Sequence, residues 1–209
     1  MEELIGTVLI FQHISIPCGR RVAIVGTGGG SGVDSADACE HAGLSVPVFS
    51  TKTVEQLQAV LPQVGDSAHN PIDLGNPWTS PSAYRKVIEI TSIDPQIEAL
   101  IAVVWQLPLF YAHRELLWNF FQKVIGVPIA VNKNLKKPLI MVLRSTPTEV
   151  EMLEAESEWR KIKDRYMVAG IPVYQTIERA AKALVNFITY HECLRNAKSS
   201  KSSQNAREN

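Results

Sequence analysis

Charge of one sign is what this chain most plainly lacks. Its 21 Lys and Arg residues match its 21 Asp and Glu residues, for a formal net charge of zero and a pI near 7.0. No field of the kind that gathers nucleic acid or anionic lipid therefore surrounds it. Cysteine is scarce: Cys18, Cys39 and Cys193 form an odd, scattered set without CxxC spacing. That argues against a disulfide framework or a thiolate zinc site and fits a reducing compartment. The histidines, His13, His41, His69, His113 and His191, are dispersed and pair with no Cys or carboxylate at metal-ligand spacing, so no metal site is expected. No apolar run reaches membrane-spanning length, and Glu2 and Glu3 stand where a signal peptide needs positive charge. A cytoplasmic protein is expected, with neither membrane nor nucleic acid as partner.

What remains is ordinary in bulk and distinctive in one stretch. With 209 residues, 45% apolar and 20% charged, the composition is that of one soluble globular domain with a sizeable core. The distinctive stretch begins with the apolar run Val22, Ala23, Ile24, Val25 and passes into Gly26, Gly28, Gly29, Gly30 and Gly32, five glycines within seven residues. A helical pattern follows through Val33, Ala36, Asp37 and Glu40, and Gly43 closes it. Strand, glycine-rich turn and helix, in that order, aim free backbone N–H groups and a positive dipole end at an anion. Glycine suits such a turn because it removes side chains where a ligand or another backbone must come close. The loop is then either an anion cradle or a tight strand-to-helix turn packed on the sheet.

Three familiar cradles do not fit. No starting glycine yields a complete GxGxxG, and residues 48–51, Val-Phe-Ser-Thr, offer no acid for a ribose, which disfavours a nicotinamide dinucleotide. A P-loop needs Gly-Lys-Ser/Thr, whereas Gly32 is followed by Val33 and Asp34. A receiver domain needs acids directly after its first strand, where this chain has Thr27 and glycines. Asp34 and Asp37 lie in the first helical turns, where carboxylates stabilise the dipole. Arg144 follows a later strand and either meets an anion or is solvated; His69 and His113 fall in or near loops on the same rim.

In chain order, residues 1–12 predict a helix with Leu4, Ile5, Val8 and Leu9 on one face, either covering the sheet or packing on another domain. Residues 45–49 predict a second strand, and Ser50 with Thr51 the cap of a helix that buries Val54, Leu57, Val60 and Leu61. Residues 68–77 carry too much Pro, Gly and Asn for a regular element. Ser80-Pro81 predicts a helix start, with Tyr84, Val87, Ile88 and Thr91 inward and Asp94-Pro95 as its stop. Residues 100–105 and 138–143 are near-continuous apolar runs, as in parallel strands buried on both faces. Between them Leu116, Leu117, Phe120, Phe121, Val124 and Ile125 mark a helix, followed by a connector over 126–137. Thr148 with Glu151 fits a capping box for a helix ending at Gly170. Residues 171–174 predict the last strand, and Thr176 opens a final helix. Five strands alternating with helices predict an α/β, flavodoxin-like three-layer sandwich with a parallel sheet of order 2-1-3-4-5. In such a sheet ligands gather at the carboxyl ends of the strands, where the glycine loop lies.

Taken together, residues 19–44, the Leu61-Pro62 pair, His69-Asn70-Pro71-Ile72-Asp73-Leu74-Gly75 and residues 170–184 resemble the NDP-forming (ADP-forming) acyl-CoA synthetases, the acetate–CoA ligase family related to succinyl-CoA synthetase. Within that enzyme the blocks match the second flavodoxin-like ligase-CoA domain. The resemblance implies the reaction of acyl-CoA, ADP and phosphate to acid, CoA and ATP, through an acyl phosphate and a phosphorylated histidine. It implies that Gly28, Gly29, Gly30, Ser31 and Gly32 line the phosphate side of that site, beside Asn70, Pro71, Asp73 and Gly75. No residue here matches a catalytic one. The complete enzyme uses CoA, ADP or ATP and Mg, none held by this chain alone. Its partners are CoA-binding, phosphohistidine and ATP-grasp domains or subunits, and the chain by itself is expected to be inactive. Two departures stand out: the family's Thr-Asn-Ala-Gly-Gly turn is here Gly26-Thr27-Gly28-Gly29-Gly30, and its Thr-Pro-Gln loop is here Trp105-Gln106-Leu107-Pro108. The expected division is 1–19 as interdomain helix and linker, 20–196 as ligase domain, and 197–209 as a disordered tail. A free-standing module that binds a phosphorylated metabolite or CoA without catalysis is the alternative.

Overall fold

The structure, a computed structural model, describes residues 1–15, 18–26, 28–61, 67–75, 80–104, 114–144 and 153–205. Helices are α1 (Glu2–His13), α2 (Gly29–Ala42), α3 (Thr51–Gln58), α4 (Pro81–Ile93), α5 (Arg114–Asn132), α6 (Leu153–Val168) and α7 (Ile177–Asn205). Strands are β1 (Val22–Gly26), β2 (Ile72–Asp73), β3 (Ala99–Val104), β4 (Leu139–Leu143) and β5 (Val173–Tyr174). Among the described residues these form one all-parallel sheet of order β2-β1-β3-β4-β5, the flavodoxin-like arrangement expected.

Strand residues alternate between two cores. Val22, Ile24, Ile101, Val103, Ile140 and Val142 face α1, α2 and α7, while Ala23, Val25, Leu100, Ala102, Met141 and Leu143 face α3 to α6. Both faces being covered explains why β3 and β4 read as unbroken apolar runs. The final helix buries Ile177, Ala180, Ala181, Leu184, Phe187 and Ile188 as its 3.6-residue period requires. Ser80 caps α4 by accepting from the Ala83 N–H at 3.1 Å, and Pro81 occupies its first turn.

The second strand is not where the sequence places it. Only Ser45 of the 45–49 segment meets β1: Val22 N–H donates to the Ser45 carbonyl and Ser45 N–H to the Arg20 carbonyl, both at 2.8 Å. Pro47 has no N–H to continue a ladder, and Val48 is 77% exposed. The Asn70 side chain takes over the edge: its amide donates to the carbonyls of Val22 and Pro47, each at 2.9 Å, and its Oδ1 accepts from Ile24 N–H at 3.0 Å. Ile72 and Asp73 then pair with Val25 and Gly26 as β2. A stretch too rich in Pro, Gly and Asn for a regular element thus holds the edge strand, half of it supplied by a side chain.

Two further expectations change. Helix α5 runs on through Gly126 and Pro128 to Asn132, because Val127 and Val131 extend its buried face. Helix α1 forms, but it buries Ile10 and leaves Leu4, Ile5 and Val8 exposed, since Gly6 is what approaches Tyr174 and Ala183. It lies on α7, where the Asn186 amide donates to Thr7 Oγ1 at 2.9 Å, and against β5, whose Tyr174 hydroxyl donates to the Gly6 carbonyl at 2.8 Å. Helix α7 runs from Ile177 to Asn205. Lengthening a helix already nucleated by packing adds one hydrogen bond per ordered residue and needs no apolar side chain. The Thr148–Glu151 capping box and residues 206–209 lie outside the described residues.

One buried carboxylate ties the α3 and α4 ends together. Asp94, 1% exposed, accepts from the Ser50 N–H and hydroxyl at 2.9 Å each and from Gln96 N–H at 2.7 Å. Burial pushes its carboxyl up, but hydrogen bonds from Thr53, Gln96 and Ser50 outweigh that and hold it below its ordinary value of 3.8. The stabilisation is thus complete above that ordinary value and is lost as pH falls through the native one. Stability measured by denaturant from about pH 6 to about pH 2 should fall less steeply in Asp94→Asn than in the parent. Equal slopes would show that Asp94 contributes nothing to the acid limb.

Candidate functional site

At the carboxyl end of the sheet the glycine loop and the β2 segment meet through one carboxylate. Asp73 Oδ1 accepts from Gly28 N–H at 2.8 Å and from Gly75 N–H at 2.9 Å. Both glycines have positive φ, 85° at Gly28 and 57° at Gly75, a region side chains avoid. Asp73 is held by β2, whose partner Gly26 is the last residue of β1, so the ladder itself fixes the carboxylate beside the loop. Leu74 N–H donates to the Gly26 carbonyl at 2.9 Å and locks the register.

Gly28 is the N-cap of α2, and Gly29, Gly30 and Ser31 are its first three residues. Their N–H groups have no carbonyl one turn behind them; the first α2 bond is Gly32 N–H to the Gly28 carbonyl at 3.1 Å. The glycines differ in what they make room for. A Cβ on Gly32 would lie 3.4 Å from Pro71 Cβ, so this glycine lets α2 settle on the β2 segment. A Cβ on Gly29 would lie 3.8 Å from Asp73 Oδ2, whereas one on Gly30 would meet nothing within 4 Å. Gly29 and Gly30 are exposed, facing the rim.

The structure therefore brings Gly28, Gly29, Asp73 and Gly75 together, with Gly30 and Ser31 on the next turn. Asn70 stands apart: among the described residues its three hydrogen bonds go to backbone of the sheet edge, at Val22, Ile24 and Pro47, rather than to the loop. Arg144, directly after β4, lies 3.4 Å from Asp34 of α2, an exposed pair that adds little stability but ties the β4 end to the loop's helix. Asp34 is thus more than a dipole partner, a contact that no local spacing announces. His69 is exposed, and among the described residues its backbone N–H donates to Ser67 Oγ at 3.3 Å. Thr27, His113 and residues 105–110 lie outside the described residues.

Two of the three thiols are quiet. Burial, helped by nearby carboxylates, pushes the Cys18 and Cys39 thiols up to about 12, so neither is a thiolate at neutral pH. Among the described residues no three His, Cys, Asp or Glu side chains lie together as a metal would require, and no helix is long and apolar enough to cross a membrane.

Comparison with known proteins supplies the family. Over 131 residues the chain is 32% identical to the acetate–CoA ligase (ADP-forming) II of Archaeoglobus fulgidus, covering 61% of this chain and 19% of that protein. Over 103 residues it is 34% identical to the acetate–CoA ligase (ADP-forming) II subunit alpha of Pyrococcus furiosus, covering 49% and 22%. The chain thus spans about a fifth of the length of these relatives. Among solved structures it resembles PH0766 from Pyrococcus horikoshii OT3, with a TM-score of 0.67 and 25% identity over 90% of this chain and 39% of that one. The fold also matches the dinucleotide forming acetyl-coenzyme A synthetase 1 of Candidatus Korarchaeum cryptofilum in complex with phosphate and ADP, with a TM-score of 0.68 and 22% identity over 96% and 39%. The Ligase-CoA domain model matches residues 22–173, from the first residue of β1 into β5, and the chain belongs to that family.

Proposed function

We propose that this chain is the second flavodoxin-like ligase domain, or a subunit equivalent to it, of a cytoplasmic ADP-forming acyl-CoA synthetase. With its partner modules it would convert acyl-CoA, ADP and phosphate to acid, CoA and ATP. The observation that carries the proposal is the Asp73 bracket. By engaging the N–H groups of Gly28 and Gly75, the carboxylate holds the turn open and leaves Gly29, Gly30 and Ser31 N–H for an outside anion. In this role the loop holds the oxygens of a phosphoryl group carried by a histidine of a partner module. The helix dipole supplies only about 0.3–1 kcal/mol at such an exposed end, so direct N–H bonds of about 1.5–3 kcal/mol each do most of the holding. Asp73, Pro71 and Asn70 then act by positioning: Asn70 sets the sheet edge, Pro71 seats against Gly32, and Asp73 shapes the turn. CoA, the nucleotide and its Mg belong to the partner modules. The exposed face of α1 carrying Leu4, Ile5 and Val8, 62%, 61% and 48% exposed, offers those modules an apolar contact.

Purified chain given ADP, phosphate and a panel of acyl-CoAs should make no ATP above background. Adding the CoA-binding, phosphohistidine and ATP-grasp modules from the same source should produce turnover that depends on this chain. Turnover by the chain alone, or modules equally active without it, would contradict the proposal. The second outcome would favour a free-standing module that binds a phosphorylated metabolite or CoA.

A further inference from the structure

At the end of the sheet opposite the glycine loop, positive charge collects in one cleft. Where the chain enters β1, β3 and β4, a cleft of about 620 Å³ is lined by Arg20, Arg21, Lys136, Lys137 and Arg195 against two carboxylates, Glu98 and Glu192. The lining carries an excess of three positive charges in a chain whose net charge is zero. The cations come from segments far apart in sequence: Arg20 and Arg21 lead into β1, Lys136 and Lys137 into β4, and Arg195 lies on α7.

The walls of the cleft are fixed before any ligand arrives. Arg20 pairs with Glu192 at 2.9 Å and also donates to Thr189 Oγ1 at 3.1 Å and to the Gly43 carbonyl at 3.3 Å. Arg21 pairs with Glu98 at 3.2 Å and donates to the Gln96 carbonyl at 2.7 Å. Glu98 is itself seated against Gly19, where any Cβ would collide with its carboxylate. Both lining carboxylates are thus engaged by arginines. Lys136 is exposed, whereas Lys137 is half-buried and donates to the Asp94 carbonyl. Burial outweighs the pull of the Asp94 and Glu98 carboxylates and holds the Lys137 ammonium below its ordinary value of 10.5. Its charge is under-compensated, and an anion in the cleft would supply what is missing.

Size and charge together select the ligand. A cleft of this volume falls within the range of small-molecule sites. A phosphoryl group carries about −1.5 to −2 charges near neutral pH, so two linked groups match the excess and a lone carboxylate does not. We propose that this cleft binds a small molecule bearing a diphosphate, with Lys136 and Lys137 meeting the phosphoryl oxygens and the paired Arg20 and Arg21 as rigid walls. The five residues of β1 separate it from the glycine loop by about 16 Å, at about 3.3 Å per residue, so it is a second site that stands whatever the loop receives.

Inorganic pyrophosphate titrated into the 15N-labelled full chain should shift the Gly19, Arg21, Lys136 and Lys137 amides in a saturable way. The same shifts should persist in Gly30→Asp, which separates this cleft from the glycine loop. Lys136→Glu is the informative variant, because its side chain is exposed and the fold does not depend on it. Its dissociation constant for pyrophosphate should rise by at least about tenfold. Inorganic phosphate should bind the cleft more weakly than pyrophosphate, and a hexaglutamate peptide, standing for an acidic segment of a partner, should not displace pyrophosphate. Cleft amides that stay still, equal affinity for the two phosphates, or an unchanged dissociation constant in Lys136→Glu would each overturn the proposal. Displacement by the peptide would overturn it too, in favour of a surface for docking protein.

Discussion

Asn70→Ala is expected to lower stability by about 2–4 kcal/mol, out of proportion to a half-buried polar residue. The side chain stands in for a missing length of strand: without it the Ile24 N–H and the carbonyls of Val22 and Pro47 lose their partners. Two of those groups belong to β1, whose Val22 and Ile24 side chains are fully buried, so water replaces the amide poorly. For a chain of this length the loss corresponds to a melting temperature lower by about 5–15 °C. Asn70→Asp should do no better. It keeps an acceptor for Ile24 N–H but sets a carboxylate oxygen against two carbonyl oxygens where the amide had donated. A variant that melts with the parent would show that Asn70 is not a structural bridge, and would return it to the list of anion contacts.

Gly30→Asp should do the opposite, leaving the fold in place while abolishing function. A Cβ at Gly30 meets nothing within 4 Å and its φ is not positive, so the new side chain is accommodated and thermal stability should stay near that of the parent. Its carboxylate, in the first turn of α2, would occupy the space offered to the anion and repel it. Removing a single preorganised donor from an oxyanion site costs about a hundredfold or more in rate. A competing charge should cost at least as much in the reassembled ligase. Gly30→Ala is the control, keeping the N–H and adding only a methyl group to open space. Gly29→Asp is less clean, because its side chain would crowd Asp73 Oδ2, 3.8 Å from the added Cβ. Full activity in a folded Gly30→Asp enzyme would reduce the loop to a tight turn.

The parts of this fold legible in the sequence are those with a long period. The strands β3 and β4, the capped helix α4 and the inward face of α7 follow from runs and spacings that only one packing satisfies. The edge strand escaped because it is two residues long and its ladder is completed by a side chain, which no propensity for strand registers. Residues 45–49, Ser-Val-Pro-Val-Phe, carried the stronger strand signal, yet Pro47 cannot donate and the segment leaves β1 after Ser45. In α5 the pair Gly126 and Pro128 looked like a stop; the buried Val127 and Val131 outweigh it. The glycine run was visible from spacing alone, and its pairing with Asp73 was not. Forty-five residues separate Gly28 from Asp73, and only the parallel register of β1 with β2 brings them to 2.8 Å. The family blocks pointed to both segments for the same reason, since each carries residues that meet only in the folded sheet.

The most direct measurement on the central claim is a titration of the 15N-labelled chain with inorganic phosphate, followed by amide NMR. Phosphate is expected to shift the Gly29, Gly30 and Ser31 resonances in a saturable way, with the Asn70 side-chain amide unmoved and the response lost in Gly30→Asp. Shifts spread evenly over the surface, or saturable binding elsewhere that leaves those three amides still, would contradict the claim that this loop receives the phosphoryl group.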